Sequence, residues 1–375
     1  MKRYSFSSEK TADGKRGPSS HLRPLRKQLY DRLGARGRAR IDRLRFALGL
    51  MPRVAPPRPK REAASGEPTL VISADLELAW GWRYDSRSIN PGQASAALAQ
   101  RTRENMPKLL RLFDEAQTPV TWAVVGHLLL DHCERLGGIA HPGLPRIPFF
   151  SGEHWKFTSG DWFDADPCSD WREAPEWYAP DLIRLVTASG VTHEIACHTF
   201  SHIDCSDRVC PPEVLDTELT ESRRIAERWG LSLETFVFPG NLAGNFATLK
   251  RHDFLAYRWH GRYHLDVPRR DGHGLWRIPG GLCWELPAGW SPRDWVAALR
   301  RCVDKAQATG TLLHLWFHPS CEPVNLTEVF PPVLKYALQA CGKKGCVTMR
   351  ELAHRLSSFN GQAVSLAEQR VATAD

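Results

Sequence analysis

The chain has 375 residues, 42% of them hydrophobic and 25% charged, a globular composition with room for one large or two ordinary domains. Its formal charge of +8 invites a nucleic-acid reading, but residues 1–61 hold 18 Lys and Arg against 4 Asp and Glu, a surplus of 14 that leaves −6 for the remainder, so nucleic acid is not the expected partner. No window reaches the roughly 18 apolar residues of a membrane-spanning helix and no early apolar run follows Met1, so a cytoplasmic or membrane-peripheral location is expected.

In chain order, residues 1–67 read as a basic, largely disordered arm rich in Gly, Pro, Ser and Arg, with a short helix through "ARIDRLRFALGLM". Leu44, Phe46, Leu48 and Leu50 beside Arg40, Arg43 and Arg45 offer peripheral contact with an anionic membrane, set against a merely solvated basic arm. A domain over residues 68–357 opens at "TLVISADLELAW", a buried strand ending in acids. A helix follows in which Met106, Leu109, Leu110 and Phe113 share a stripe, and "TPVTWAVVG" is the next strand.

Residues 138–180 are dense in Pro, Gly and aromatics and read as a long functional or disordered insertion. Beyond it come helix "DLIRLVTAS", strand "THEIACH", and a helix after Pro211-Pro212 with Leu215, Leu219, Ala226 and Trp229 on one face. Strand "TFVFPG", helix "FATLKRHD", strands "FLAYR" and "LWRIPG", helix "PRDWVAALRRCVDKAQ" and strand "TLLHLWFHP" continue the alternation. Strand "GCVTM" and helix "RELAHRLSS", with Thr348 and Glu351 in capping-box spacing, close the domain before a flexible tail at 358–375. Such alternation predicts an α/β fold with a parallel sheet, open or closed into a barrel. The ten cysteines, scattered without a CxxC pair, read as buried thiols; Cys205 with Cys210 and Cys341 with Cys346 lack a matching second pair for zinc.

Polar residues stand at four strand ends, which converge on one face in parallel α/β folds. Asp75 and Glu77, two apart on a strand, can address one cleft, where burial demands a compensating cation; otherwise they are a solvated pair. His198 and His202, four apart, can face one point if the backbone turns helically, or can be satisfied structural histidines. Two histidines and one carboxylate suit zinc or another divalent ion with a position left for water, and the second carboxylate is then a base. His318, stopped by Pro319, fits a general acid at the rim, whereas His314 reads as a buried structural histidine.

"SADLE", "CHTFSH", "FVFPGN" and "LWFHP" occur in the order of the motifs of the polysaccharide deacetylase family, carbohydrate esterase family 4, and the chain resembles that family over about residues 69–355. The resemblance implies a distorted (β/α) barrel of about seven strands and metal-dependent removal of acyl groups, acetyl foremost, from amino sugars, polysaccharides or glycolipid precursors. It implies Asp75 as the base, His318 as the acid, and Glu77, His198 and His202 as ligands to a divalent metal, most often Zn2+. Pro239 and Asn241 fall in the third motif and are expected to bind substrate; many relatives carry there an arginine that orients the base. Gly240 stands there instead, with Arg258 or Arg277 as substitutes. Among the insertion's aromatics, Trp155 and Trp162 are expected to line the sugar cleft, together with Trp171, Trp177 and Tyr178, against the alternative of a satellite core under a long loop. The alternatives on the same scaffold are a metal-dependent amidohydrolase or deformylase acting on a small molecule or a lipid-linked sugar, and a carbohydrate-binding relative without catalysis.

Overall fold

A computed structural model describes Tyr30 and residues 33–55, 69–152, 155–261, 263–342 and 345–358. The rest of the expected arm, and all of the expected tail beyond Ser358, lie outside the described residues. Strands and helices alternate: α1 (Ala35–Ala47), β1 (Leu70–Leu76), α2 (Pro91–Glu115), β2 (Thr121–Val124), α3 (Pro180–Thr187), β3 (Glu194–Cys197), α4 (Pro212–Arg228), β4 (Thr235–Val237), α5 (Phe246–Arg251), β5 (Ala256–Trp259), β6 (Trp276–Pro279), β7 (Leu282–Cys283), α6 (Pro292–Thr309), β8 (Leu313–Phe317), α7 (Phe330–Cys341) and β9 (Cys346–Val347).

The central sheet runs β6-β5-β4-β3-β2-β1-β8-β7, all parallel, with β9 also on β1 and a short antiparallel piece, Arg269–Arg270, on β6. Strands β6 and β7 are successive parts of one segment: its first half pairs with β5, its second with β8, so residues 276–283 bridge the two ends of the sheet. The result is a distorted barrel of seven strand positions. The segment bends at Gly280-Gly281, where any Cβ on Gly281 would run into the carbonyl oxygens of Gly261 and His264.

The period of two inside each strand separates two apolar layers. Leu70, Ile72, Ala74 and Leu76 pack outward in the large cluster beneath the helices, whereas Val71, Ala123, Ala196, Val237, Ala256 and Ile278 form a second cluster inside the barrel. Met349, Leu352, Ala353 and Leu356, on the helix at 349–358, plug that interior from below. Glu194, buried, receives the Arg350 N–H at the start of this helix (2.9 Å) and the Thr121 hydroxyl (2.8 Å), a carboxylate at a helix N-terminus.

Helix caps follow the local sequence. Asn90 accepts the Gln93 N–H ahead of Pro91, and Ser291 accepts the Asp294 N–H ahead of Pro292. Thr348 accepts the Glu351 N–H at 3.1 Å, as the capping-box spacing predicts. Helix α7 is absent from the sequence-based reading because Pro331-Pro332 resembles a loop; within the helix's first turn, the N–H groups that proline lacks have no intrahelical partner to lose.

The N-terminal arm, where a short helix is expected, is more than a solvated segment. Residues 35–47 form a helix docked on the barrel, with Phe46 only 2% exposed and set edge-on to Tyr263, Trp290 and Trp295. Phe46 therefore leaves the set available to a membrane, while Leu44, Leu48 and Leu50 stay exposed. No helix among the described residues is long and apolar enough to cross a membrane. Phe46→Ala is expected to weaken docking by about 3–5 kcal/mol, read as faster hydrogen exchange and protease cleavage across residues 35–47; unchanged exchange would show that the ring does not anchor the helix.

Candidate active site

Above the apolar layer the inward positions turn polar. Ser73 and Asp75 follow Val71 on β1, His198 follows Ala196 beyond β3, Arg258 follows Ala256 on β5, and His314 and His318 follow Leu312 along β8. These side chains reach the carboxyl ends of the strands, where a cleft of about 620 Å³ opens, lined by Asp75, Glu77, His202 and His318 among others.

Glu77 stands just past the end of β1. Its Oε1 lies 3.2 Å from His198 Nε2 and 3.1 Å from His202 Nε2, with all three side chains buried. The histidines do not converge through a helical turn. They sit in a loop in which Thr199 and His202 take left-handed φ values of 59° and 58°, turning the chain back so that both rings face Glu77. The Thr199 hydroxyl braces this loop by accepting the Ile203 N–H at 3.2 Å.

The donor set fits a divalent cation. His198 Nδ1 is 2.7 Å from the Val237 carbonyl oxygen, which can only accept, so Nδ1 carries a hydrogen and Nε2 is the nitrogen turned toward Glu77. A lone pair facing a carboxylate oxygen at 3.2 Å is repulsive unless a positive charge lies between them. Burial alone would raise the Glu77 carboxyl, but His202 and His198 outweigh it and hold it well below the usual carboxylate range.

Asp75 has a different partner. Arg258 grips it with two parallel bonds, Nη1 to Oδ1 and Nη2 to Oδ2, both 2.6 Å, and the Arg258 guanidinium lies 4.6 Å from the Trp316 ring centroid. Desolvation pushes the Asp75 carboxyl up, but the guanidinium holds it below its ordinary value. Arg277 is not at the site; it stacks on Trp259 at 4.6 Å. Asn241 Oδ1 is 3.4 Å from Arg258 Nη2, and Pro239 is buried beneath the loop rather than lining the cleft.

Gly240 has a steric reason. Its φ is +56°, and a Cβ there would sit 2.9 Å from the Trp155 ring, so an arginine at this place would expel Trp155 from its edge-on contact with His202 at 4.9 Å. The guanidinium comes instead from the neighbouring strand through Arg258.

His318 Nδ1 lies 2.9 Å from Glu285 Oε1, which also accepts the His318 backbone N–H at 2.8 Å. A carboxylate acceptor places hydrogen on Nδ1 and leaves Nε2 toward the cleft, 3.9 Å from Glu77 Oε1. Burial would lower the imidazole, but Glu285, Glu77 and Asp75 together raise it to about 9. No sequence signal marks Glu285, which sits in "CWELP" after the strand bend. His314 is buried, 2.9 Å from the Ser73 hydroxyl, and burial followed by Arg258 depresses it to about 3.

Trp155 lines the cleft, but Trp162 does not. It is 2% exposed and lies behind the site, donating its indole N–H to Ser201 Oγ at 2.8 Å, while Ser201 donates in turn to Glu218 at 2.6 Å. Trp171, Trp177 and Tyr178 also lie away from the cleft. Trp82, Tyr263 and Trp316 take the expected place as aromatic walls.

A parallel barrel whose acids, histidines and arginine meet at the carboxyl ends of its strands is the framework of a (β/α)-barrel hydrolase. Residues 95–258 match the family model described as polysaccharide deacetylase, a family of hydrolases acting on carbohydrate amide bonds. The matched stretch contains His198, His202 and Arg258; Asp75, Glu77 and His318 lie outside it. No curated protein matches the chain. Among solved structures, a Mycobacterium smegmatis protein described as a polysaccharide deacetylase is 14% identical, covering 81% of this chain and 96% of its own, with a TM-score of 0.55. A Pseudomonas aeruginosa PAO1 protein described likewise is 14% identical over 80% and 97%, with a TM-score of 0.51. PuuE allantoinase is 15% identical over 79% and 93%, with a TM-score of 0.53. At these identities the likeness is one of fold.

Removing one partner of a buried ion pair leaves the other charge unsolvated. Arg258→Met is expected to lower stability by about 3–5 kcal/mol in urea unfolding, and adding Asp75→Asn should recover part of the loss. Equal losses in the single and double variants would show that the pair is not coupled.

Proposed function

We propose that the protein removes an N-acyl group, acetyl foremost, from an amino sugar within a polysaccharide or glycolipid precursor. A divalent metal, zinc by the chemistry of its donors, would be held by Glu77, His198 and His202. The observation carrying this reading is that Asp75, Glu77 and His318 bring ligand atoms within 4.8 Å of one another beside the Glu77–His198–His202 cluster, at one cleft. The family match supports it.

The ion supplies Lewis acidity toward the acyl oxygen and acidifies water near neutral pH. The protein's own groups do the rest. Asp75, kept anionic and oriented by Arg258, takes a proton from the attacking water. His318, protonated through Glu285, presents Nε2–H to the leaving nitrogen, so acid and base begin the reaction in opposite and correct protonation states. Trp82, Trp155 and Trp316 supply aromatic surface on which a sugar ring rests while water is excluded.

Acetate and formate release across a panel of acylated amino sugars tests the reading. Chelator should abolish release and zinc restore it, and Asp75→Asn should lower kcat by roughly 10²–10⁴-fold while the metal content stays unchanged. Activity indifferent to both would sink the proposal.

A general acid fails as it loses its proton, so activity should fall as pH rises through the His318 value of about 9. Glu285→Gln removes the largest interaction holding that value up and is expected to move the alkaline fall to lower pH in a kcat profile. A fall at the same pH would exclude Glu285 from tuning His318.

A further inference from the structure

Away from the barrel mouth, four side chains that the reaction does not use meet at the base of the insertion. His127 lies in the short turn after β2, Cys133 and His141 flank the hairpin formed by Arg135–Leu136 and Ile139–Ala140, and Asp166 comes from the insertion beyond Trp162. Their ligand atoms all lie within 4.8 Å of one another. Asp166 Oδ2 is 2.9 Å from His127 Nε2 and 2.8 Å from His141 Nε2, and Cys133 Sγ is 3.5 Å from Asp166 Oδ2, 3.6 Å from His141 Nε2 and 3.9 Å from His127 Nε2. Tetrahedral zinc with ordinary N, O and S bond lengths holds its ligand atoms about 3.3–3.6 Å apart, within about half an ångström of these separations.

The surrounding hydrogen bonds point the lone pairs inward. His127 Nδ1 is 3.2 Å from the Trp177 carbonyl oxygen, so Nδ1 carries the hydrogen, and the neutral ring aims the Nε2 lone pair at the Asp166 carboxylate. Asp166 Oδ1 is already taken by the Tyr178 hydroxyl (3.0 Å) and the Cys168 N–H (2.9 Å), which turns Oδ2 to the cluster. Two facing acceptors at 2.9 Å need a cation between them. Protonating His127 would serve as well, but its ring is fully buried among Trp80, Tyr178 and Phe200, where desolvating an imidazolium is expensive even beside a carboxylate.

We propose that His127, Cys133, His141 and Asp166 bind a structural zinc ion, separate from the site at the barrel mouth. Thiolate, carboxylate and two neutral imidazoles together balance the charge of Zn2+, and four protein ligands leave no position open for substrate. The ion ties the turn after β2, the hairpin and the 160s of the insertion to one point. That insertion also carries Trp155 and Trp162, which pack on His202 and bond to Ser201, so the ion holds the wall of the cleft in place.

Cobalt is a suitable probe, because thiolate-to-cobalt charge transfer absorbs in the near ultraviolet and none of the donors at Glu77, His198 and His202 is a thiol. Full-length protein produced in cobalt-supplemented medium should show this band, Cys133→Ser should lose it, and Cys283→Ser, at the mouth, should keep it. Separately, protein carrying Glu77→Gln, His198→Ala and His202→Ala should retain about one zinc per chain by elemental analysis, and adding Cys133→Ser and Asp166→Asn should reduce this at least tenfold. Wild-type protein without the band, a band that survives Cys133→Ser, or zinc content indifferent to Cys133 and Asp166 would overturn the proposal. The wild-type spectrum decides even if a variant fails to fold.

Discussion

A carboxylate oxygen faced by an imidazole nitrogen whose partner nitrogen is already committed to a backbone carbonyl is the constraint on which the rest of this structure depends. At the barrel mouth, the Val237 carbonyl fixes the proton of His198 and so fixes what Glu77 confronts. Uncompensated, lone pairs about 3 Å apart in a buried place repel, and the loop carrying both histidines would relax outward. That loop instead holds two non-glycine residues in left-handed conformations, Thr199 and His202, each of which costs on the order of 1 kcal/mol or more and persists only where the surroundings over-determine it. Strain and electrostatics thus converge on the same three side chains.

Around them the barrel sorts charge by depth. Small and β-branched residues fill its lower interior, the helix at 349–358 plugs it from below, and polar residues enter only where the strands open to the cleft. Asp75 can be buried there because Arg258 satisfies both its oxygens, and Arg258 fits because Trp316 stacks on its guanidinium and Gly280 leaves room beside its aliphatic stem. The exchange with Gly240 is one of space: the room a third-motif side chain would fill belongs to Trp155. A base oriented from the neighbouring strand and an aromatic ring against the second histidine are two sides of one packing solution.

Much of this was legible in the sequence, and the limits follow from what periodicity encodes. Alternation of two and 3.6 residues marks the strands and helices, and polar residues at strand ends mark the mouth, so Asp75, His198, Arg258 and His318 lie on readable positions. How His202 reaches Glu77 was not legible, because a four-residue spacing suggests a helical turn and the chain uses left-handed residues instead. Trp162 reads like Trp155 in composition; only tertiary packing distinguishes a ring bonded to Ser201 from one facing the cleft. Glu285 left no trace because its role depends on the bend at Gly280-Gly281, which brings residues 282–285 beside β8. The short helix of the arm was legible, but its docking was not, since a single buried ring, Phe46, rather than a full apolar stripe, fastens it.

The insertion links these levels. Its aromatics are not one continuous wall: Trp155 faces the cleft, Trp162 braces Ser201 within the histidine loop, and Tyr178 turns away to hold Asp166. Ser201 passes the contact on to Glu218 on α4, and Arg83, stacked on Trp162, donates to the Ser201 carbonyl at 2.9 Å. The left-handed backbone between His198 and His202 is therefore clamped from two sides, by the barrel's own helix and by the insertion. A loop with this many fixed partners cannot relax its strain locally, so the geometry at Glu77 depends on the insertion being folded, and whatever orders the cluster around Asp166 also orders the second histidine at the barrel mouth.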